Sequence, residues 1–140
     1  MIYVYILVPI FLVVYFALMI WMWRKRKASK FTKKDHAYIN SHWYRILDSF
    51  EKDPRVAVME GDKLLDYCLT KRGGAKFSRL SLGEKLKKGG AYFTDINSVW
   101  SAHKLRNKIA HELGMDLPAK EARRALGVFK KAMNDLGAKL

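Results

Sequence analysis

Four polar side chains that could bind phosphate or move protons fall within one short segment, 103–111. His103, Asn107 and His111 are spaced four residues apart, so a helix of 3.6 residues per turn places them on one face, with Arg106 beside it. An imidazole can take a proton from a hydroxyl or give one to a leaving oxygen. A guanidinium matches phosphate oxygens and stabilises charge that develops on them. Together these residue types suit metal-independent cleavage of RNA by transesterification.

A structural interpretation of the same segment is also open. Bundle helices often carry histidine and asparagine where two helices meet, and Arg106 could pair with Glu60 or Asp62 of an earlier helix. One helix supplies one set of these groups, whereas paired acid–base work generally uses two imidazoles, which a twofold homodimer would provide. A zinc site is not indicated, because His111-Glu112 lacks the second histidine of H-E-x-x-H and the chain has a single cysteine. We therefore expect no metal and no cofactor.

Hydrophobic periodicity predicts the helices that would position these groups, and no segment alternates as a half-buried strand does. The residues expected to begin or end these helices are Thr32 or Asp35, Asp53-Pro54, Arg72-Gly73-Gly74, Ser81, Gly89-Gly90, Thr94, Gly114 and Pro118. The apolar residues expected to face inward are Ile39, Trp43, Ile46, Leu47 and Phe50; Ala57, Leu64, Leu65, Cys68 and Leu69; Ile96, Val99, Trp100, Leu105 and Ile109; and Ala122, Leu126, Phe129, Met133 and Leu136. The sequence thus predicts an all-α bundle of four main helices with one short extra helix.

The N-terminal segment predicts a membrane anchor. Residues 2–23 carry no charge, and a helix of that length spans ~33 Å, enough for a hydrocarbon core of ~30 Å. The basic run Arg24, Lys25, Arg26 and Lys27 follows, so the positive-inside rule places the N-terminus outside and the rest in the cytoplasm. We therefore expect a single-pass plasma-membrane protein: a transmembrane helix over 1–23, a basic juxtamembrane linker over 24–34 that contacts anionic lipid headgroups, and a helical domain over 35–140.

The charge of the chain favours an anionic partner. The 27 Lys and Arg residues outnumber the 13 Asp and Glu residues, which gives a net charge of +14. Lipid would account for the basic run near the membrane, but the domain after it also keeps an excess of basic residues, which favours a partner such as RNA. In the very basic segment 71–88, a solvated surface is the default interpretation. Lys71, Arg72 and Arg79 are nevertheless our candidates for lining a binding cleft, together with His103.

The segment Arg106-Asn107-Lys108-Ile109-Ala110-His111 resembles the signature of the HEPN superfamily (higher eukaryotes and prokaryotes nucleotide-binding). That signature is an arginine followed by a polar residue, with a histidine after a gap of four to six. The acid-bearing stretch 56–66 is similar to the second helix of such domains, and 82–86 resembles the short segment that follows it. With the order of the helices, the resemblance covers roughly residues 35–138.

The resemblance implies a helical bundle, commonly dimeric, in which Arg106 and His111 of both protomers meet in a cleft. Active members are metal-independent ribonucleases, so His111 would handle protons, Arg106 would stabilise the phosphate and Asn107 would position the histidine. His103 lies outside the signature, and Glu60 and Asp62 would support the site. Many relatives lack activity and serve as binding or assembly modules. Two functions therefore remain open: a domain that binds RNA or a nucleotide and cleaves RNA, and a non-catalytic dimerising scaffold at the inner face of the membrane.

Overall fold

The chain folds into helices. The computed structural model describes the backbone of residues 2–27, 31–112 and 114–140, with side chains in these ranges except for 2–6 and 21–27, and it contains no strand within them. The helices are α1 (Ile2–Lys27), α2 (Lys33–Lys52), α3 (Pro54–Gly73), α4 (Leu82–Gly89), α5 (Ile96–His111) and α6 (Ala119–Leu136). Short 3₁₀ turns occupy Gly74–Lys76 and Gly90–Tyr92. The bundle of four main helices and one short helix is confirmed.

Helix α1 does not bear out the predicted membrane anchor. Among the described residues, none of the helices combines the length and the apolar character that crossing a bilayer requires. The side chains of α1 that the structure describes, those of residues 7–20, are all exposed. The transmembrane helix over 1–23 and the single-pass plasma-membrane topology built on it are therefore wrong.

The predicted basic linker over 24–34 is only partly described. The backbone of 24–27 continues α1, and α2 already begins at Lys33. Residues 28–30 and the side chains of Arg24, Lys25, Arg26 and Lys27, expected to contact lipid headgroups, lie outside the described residues.

Helix α3 is the centre of the bundle, where it packs against α2, α4, α5 and α6. Its inward face includes Val58, Leu65, Cys68 and Leu69, all with no exposed surface. Burying a side chain such as Leu or Val is worth roughly 1.5–3 kcal/mol, so this face supplies much of the stability of the bundle. Burial also raises the pKa of the Cys68 thiol to about 12, which keeps it protonated and chemically inert.

The start of α2 is fastened to α3 through Asp35. Thr32 and Asp35 form the predicted cap reciprocally: the Thr32 hydroxyl accepts from the Asp35 amide, and the Thr32 amide donates to the Asp35 carboxylate. From α3, the Tyr67 hydroxyl donates to the same buried carboxylate at 2.9 Å and Lys71 Nζ lies 3.0 Å away. The bonds from the Thr32 amide and hydroxyl, followed by that from Lys71, hold the pKa of Asp35 well below its usual range.

Several local predictions are confirmed and others are wrong. Asp53 caps α3 with Pro54 in its first turn, Ser81 caps α4, and all five inward positions predicted for the last helix are buried. Asp95 rather than Thr94 caps α5, because the Thr94 amide and hydroxyl both donate to Asp135. Leu47 is 43% exposed.

The basic segment 71–88 is less solvated than its charge suggests. Arg72 and Lys85 are both buried, at 7% and 3% exposure. Lys85 Nζ lies 2.6 Å from a carboxylate oxygen of Asp66 and 2.8 Å from the Thr70 hydroxyl, so α3 supplies the partners that a buried ammonium requires.

Asp35→Asn is expected to lower the free energy of unfolding at pH 7 by about 2 kcal/mol, the scale of a hydrogen bond to a charged group. Because folding depresses the pKa of Asp35, its contribution is fully present above the unfolded value near 3.8 and is lost as the pH falls through the lower folded value. The difference between variant and wild type should therefore shrink on acidification below about pH 4.

Urea unfolding at a series of pH values measures this difference, with Asp48→Asn as the matched control. Asp48 lies on the same helix and pairs only loosely with the exposed Lys52, at 3.4 Å. If the difference in unfolding free energy between Asp35→Asn and wild type stays constant from pH 7 to pH 2, the ionised carboxylate of Asp35 is not the source of that stability.

Candidate functional site

Helix α5 presents its polar residues to α3 because of how its apolar residues are buried. Val99, Ala102 and Ile109 are buried in the core of the bundle, and that burial fixes the rotation of α5 about its own axis. The same rotation turns His103, Arg106 and Asn107 toward α3.

The cluster is organised around the carboxylate of Asp62, which lies on α3. His103 Nδ1 lies 2.8 Å from one carboxylate oxygen, and Arg106 Nε lies 3.3 Å from the other. The Asp62 side chain is only 5% exposed, so these two groups of α5 compensate a buried charge. Of the two acids expected to meet Arg106, Glu60 instead pairs with Lys63 at 2.6 Å and is partly exposed.

Asn107 completes the network and determines which nitrogen of His103 carries the proton. Arg106 Nη1 donates to Asn107 Oδ1 at 3.0 Å, so the amide nitrogen of Asn107 faces His103 Nε2, at 3.3 Å. An amide nitrogen only donates, so Nε2 accepts, and the proton lies on Nδ1, which donates to Asp62. In this tautomer the Nε2 lone pair accepts from Asn107, so it can act as a base only once a ligand displaces that amide.

Arg106 is held but not fully satisfied. Among the side chains that the structure describes, its Nε is the one buried nitrogen or oxygen that lacks a hydrogen bond, since the contact with Asp62 is close without being well directed. A buried polar group left without a hydrogen bond costs about 1–3 kcal/mol.

The cluster opens into a cleft of 490 Å³ between α3, α5 and the start of α4, a volume within the ~300–1,000 Å³ typical of ligand sites. The cleft is lined by Asp62, Lys63, Asp66, Leu80, Ser81, Leu82, Gly83, His103, Arg106 and Asn107. Within the described part of the chain, no group of three or more His, Cys, Asp or Glu side chains is arranged to hold a metal ion.

The structure separates the signature histidine from the signature arginine. His111 is exposed in the last turn of α5, five residues beyond Arg106, which places it ~140° away around the helix. His103, three residues before Arg106, lies only ~60° away and shares its contact with Asp62. Sequence reasoning set His103 outside the signature, although its spacing from Arg106 already placed both on one face.

The three basic residues expected to line the cleft lie elsewhere. Lys71 pairs with Asp35 at 3.0 Å, Arg72 is buried with its guanidinium 5.4 Å from the centre of the Tyr92 ring, and Arg79 is exposed after the 3₁₀ turn that follows α3. Besides Arg106, the cleft is lined by Lys63, a basic residue that sequence reasoning missed. Its position beside Asp62 on the acid-bearing helix was the available signal.

No protein-family model, curated protein or solved structure matches this chain. The HEPN resemblance therefore stays a prediction.

Asp62→Ala is expected to lower the free energy of unfolding by about 3–5 kcal/mol, because it removes the carboxylate that compensates the charge of Arg106 and accepts the hydrogen bond of His103. Glu60→Ala is the matched control, two residues away on the same helix, and should cost less than about 1 kcal/mol because its ion pair is exposed. Chemical denaturation of both variants measures the contrast. Equal losses would show that Asp62 does not hold α5 against α3.

Proposed function

We propose that the bundle is an HEPN-like module that binds RNA in the cleft between α3, α4 and α5. The observation that carries this proposal is the network of Asp62, His103, Arg106 and Asn107 at the wall of an open cleft. Asp62 and Asn107 hold the guanidinium of Arg106 in place before any ligand arrives, so little side-chain entropy remains to be lost on binding.

Charge supports an RNA phosphate as the ligand of Arg106. The net charge of +14 attracts a polyanion, and the exposed Lys63 lies on the rim of the same cleft. Asp66 also lines the cleft, but its carboxylate is engaged by Lys85 at 2.6 Å, which reduces its repulsion of a phosphate. A guanidinium that offers several donors in one plane suits a phosphodiester better than a single ammonium does.

The same geometry supports cleavage without a metal. His103 Nε2 would take the proton of a ribose 2′-hydroxyl once that hydroxyl replaces the Asn107 amide beside it. The 2′-oxygen then attacks the phosphorus, the bond to the 5′-oxygen breaks, and the leaving 5′-oxygen takes a proton from water. Asp62 would stabilise the imidazolium and Arg106 the charge on the phosphoryl oxygens. In an HEPN-like homodimer, the exposed His111 of a second copy would supply that proton instead.

A second candidate function is a non-catalytic interaction module, favoured by the burial of Asp62 against two groups of α5. In that case the network only braces α3 against α5, and the polar groups of the cleft need no ligand.

Arg106→Ala is expected to weaken binding of single-stranded RNA by roughly tenfold or more, the loss of one hydrogen bond to a charged group. Arg124→Ala, an exposed arginine on α6, is the matched control and should bind as the wild type does. Fluorescence anisotropy with the full chain at fixed salt measures both. Tight RNA binding by Arg106→Ala would refute the cleft as the binding site.

RNA cleavage by the full chain in EDTA separates the two histidines. His103→Ala is expected to abolish cleavage while RNA binding persists. His111→Ala is expected to retain cleavage if one protomer forms a complete active site. Loss in His111→Ala alone would instead favour the shared site of an HEPN-like homodimer. Cleavage unchanged in both variants would assign the activity to a contaminant. If the wild type binds no RNA and the variants only melt at a lower temperature, the interaction module is favoured.

A further inference from the structure

The cleft of Arg106 also holds an acid that takes no part in the network of Asp62. Asp66 lies one turn after Asp62 on α3 and lines the cleft, with 38% of its side chain exposed. A carboxylate in this place works against a phosphate bound at Arg106. Its presence favours ligand binding only if it contacts a different part of the same ligand.

The carboxylate of Asp66 is held in place by a buried lysine. Lys85 Nζ, on α4, lies 2.6 Å from Asp66 Oδ1 and 2.8 Å from the Thr70 hydroxyl, and only 4% of the Lys85 side chain is exposed. The Thr70 hydroxyl in turn donates to the backbone carbonyl of Asp66 at 2.8 Å. Because the ammonium is buried, it fixes the carboxylate in one orientation, so little side-chain entropy remains to be lost when a ligand binds.

The other oxygen of this carboxylate, Oδ2, accepts no hydrogen bond from any residue that the structure describes. An ionised carboxylate has about four acceptor sites and no donor, and Lys85 uses one of them. Asp66 therefore offers the cleft a fixed acceptor, which attracts N–H and O–H groups and repels carbonyl oxygens.

Guanine is the ribonucleobase whose hydrogen-bonding edge suits such an acceptor. Its Watson–Crick edge carries two adjacent donors, N1–H and the N2 amine, which match the two oxygens of a carboxylate. Adenine and cytosine place an acceptor nitrogen beside their amine, and uracil places its N3–H between two carbonyl oxygens. Each of those three bases would bring an acceptor against the carboxylate. Proteins read this edge in unpaired bases, because a duplex uses it for base pairing.

The spacing along α3 lets one nucleotide reach both groups. Asp66 lies about 6 Å further along the helix axis than Asp62, which lies 3.3 Å from Arg106 Nε. That separation is within the length of a single nucleotide. The half-buried Leu80 lines the same cleft and supplies an apolar surface for the face of a base.

We propose that Asp66 selects guanine: the N1–H and the N2 amine of an unpaired guanine donate to the Asp66 carboxylate while the adjoining phosphate binds Arg106. This inference rests on the proposed function and deepens it, because it names the base that the cleft of Arg106 accepts.

The test measures binding of single-stranded RNAs to the full chain by fluorescence anisotropy at fixed salt. Each strand is a uridine tract of about six nucleotides, within the usual site sizes, that carries guanosine, inosine or deoxyguanosine at one central position. Inosine lacks the N2 amine, so its strand is expected to bind about tenfold or more weakly, the loss of one hydrogen bond to a charged group. The deoxyguanosine strand should bind as the guanosine strand does, because the base makes the contact. Gel electrophoresis afterwards verifies that the strands are intact.

Asp66→Asn keeps the shape of the side chain and an acceptor for Lys85, but it places an amide donor against the donors of guanine. This variant is expected to bind the guanosine and inosine strands equally well. Glu60→Gln is the matched control, because it removes a negative charge from the same helix at a residue outside the lining of the cleft. It should keep the wild-type preference for guanosine, and circular dichroism verifies that both variants are folded.

Equal binding of the guanosine and inosine strands by the wild type overturns the guanine site while leaving RNA binding at Arg106 intact. This comparison needs no variant, so it decides even if Asp66→Asn does not fold. A preference for guanosine that persists in Asp66→Asn also overturns the role of Asp66. Weakening by deoxyguanosine but not by inosine would assign the contact to the ribose hydroxyl instead. If the wild type binds none of the strands, the proposed function fails as well.

Discussion

The buried carboxylate of Asp62 is the constraint on which the candidate site depends. A carboxylate with 5% exposure must be compensated by hydrogen bonds or by an opposite charge, because an unpaired buried ion costs several kcal/mol. Two residues of α5, His103 and Arg106, supply that compensation together. The pairing stabilises the orientation that the burial of the apolar residues of α5 gives this helix against α3. It also aims His103 Nε2 and the guanidinium toward the cleft, so packing and chemistry depend on the same contact.

Helix α3 organises the bundle because one of its faces meets α5 and another meets α2. Asp62 and Asp66 face the cleft beside α5, whereas Tyr67 faces α2 and is anchored by Asp35. Lys63 lies between them and lines both the cleft beside α5 and the groove between α3 and α2. A rigid central helix thus holds the Asp62 network and the Asp35 anchor of α2 in a constant relation, which a flexible loop could not do.

The ends of the helices were predictable where the cap chemistry was unambiguous. The pair Thr32 and Asp35 has the spacing of a capping box, and Asp53 precedes a proline suited to the first turn. Thr94 and Asp95 are both good caps, so sequence alone did not separate them. A contact of Thr94 with Asp135, which lies on another helix, decided between them. The same kind of long-range contact buries Lys85, which composition had placed in a solvated surface.

The sequence by itself determined the order of the helices and the fact that residues 103, 106 and 107 share one face, because both follow from local spacing and the 3.6-residue period. Only the tertiary structure decided that Asp62 rather than Glu60 meets Arg106, and that His103 rather than His111 joins the cluster. Those choices depend on how α5 is rotated and shifted against α3. The burial of the apolar residues of α5 sets that orientation, and the spacing within either helix does not encode it.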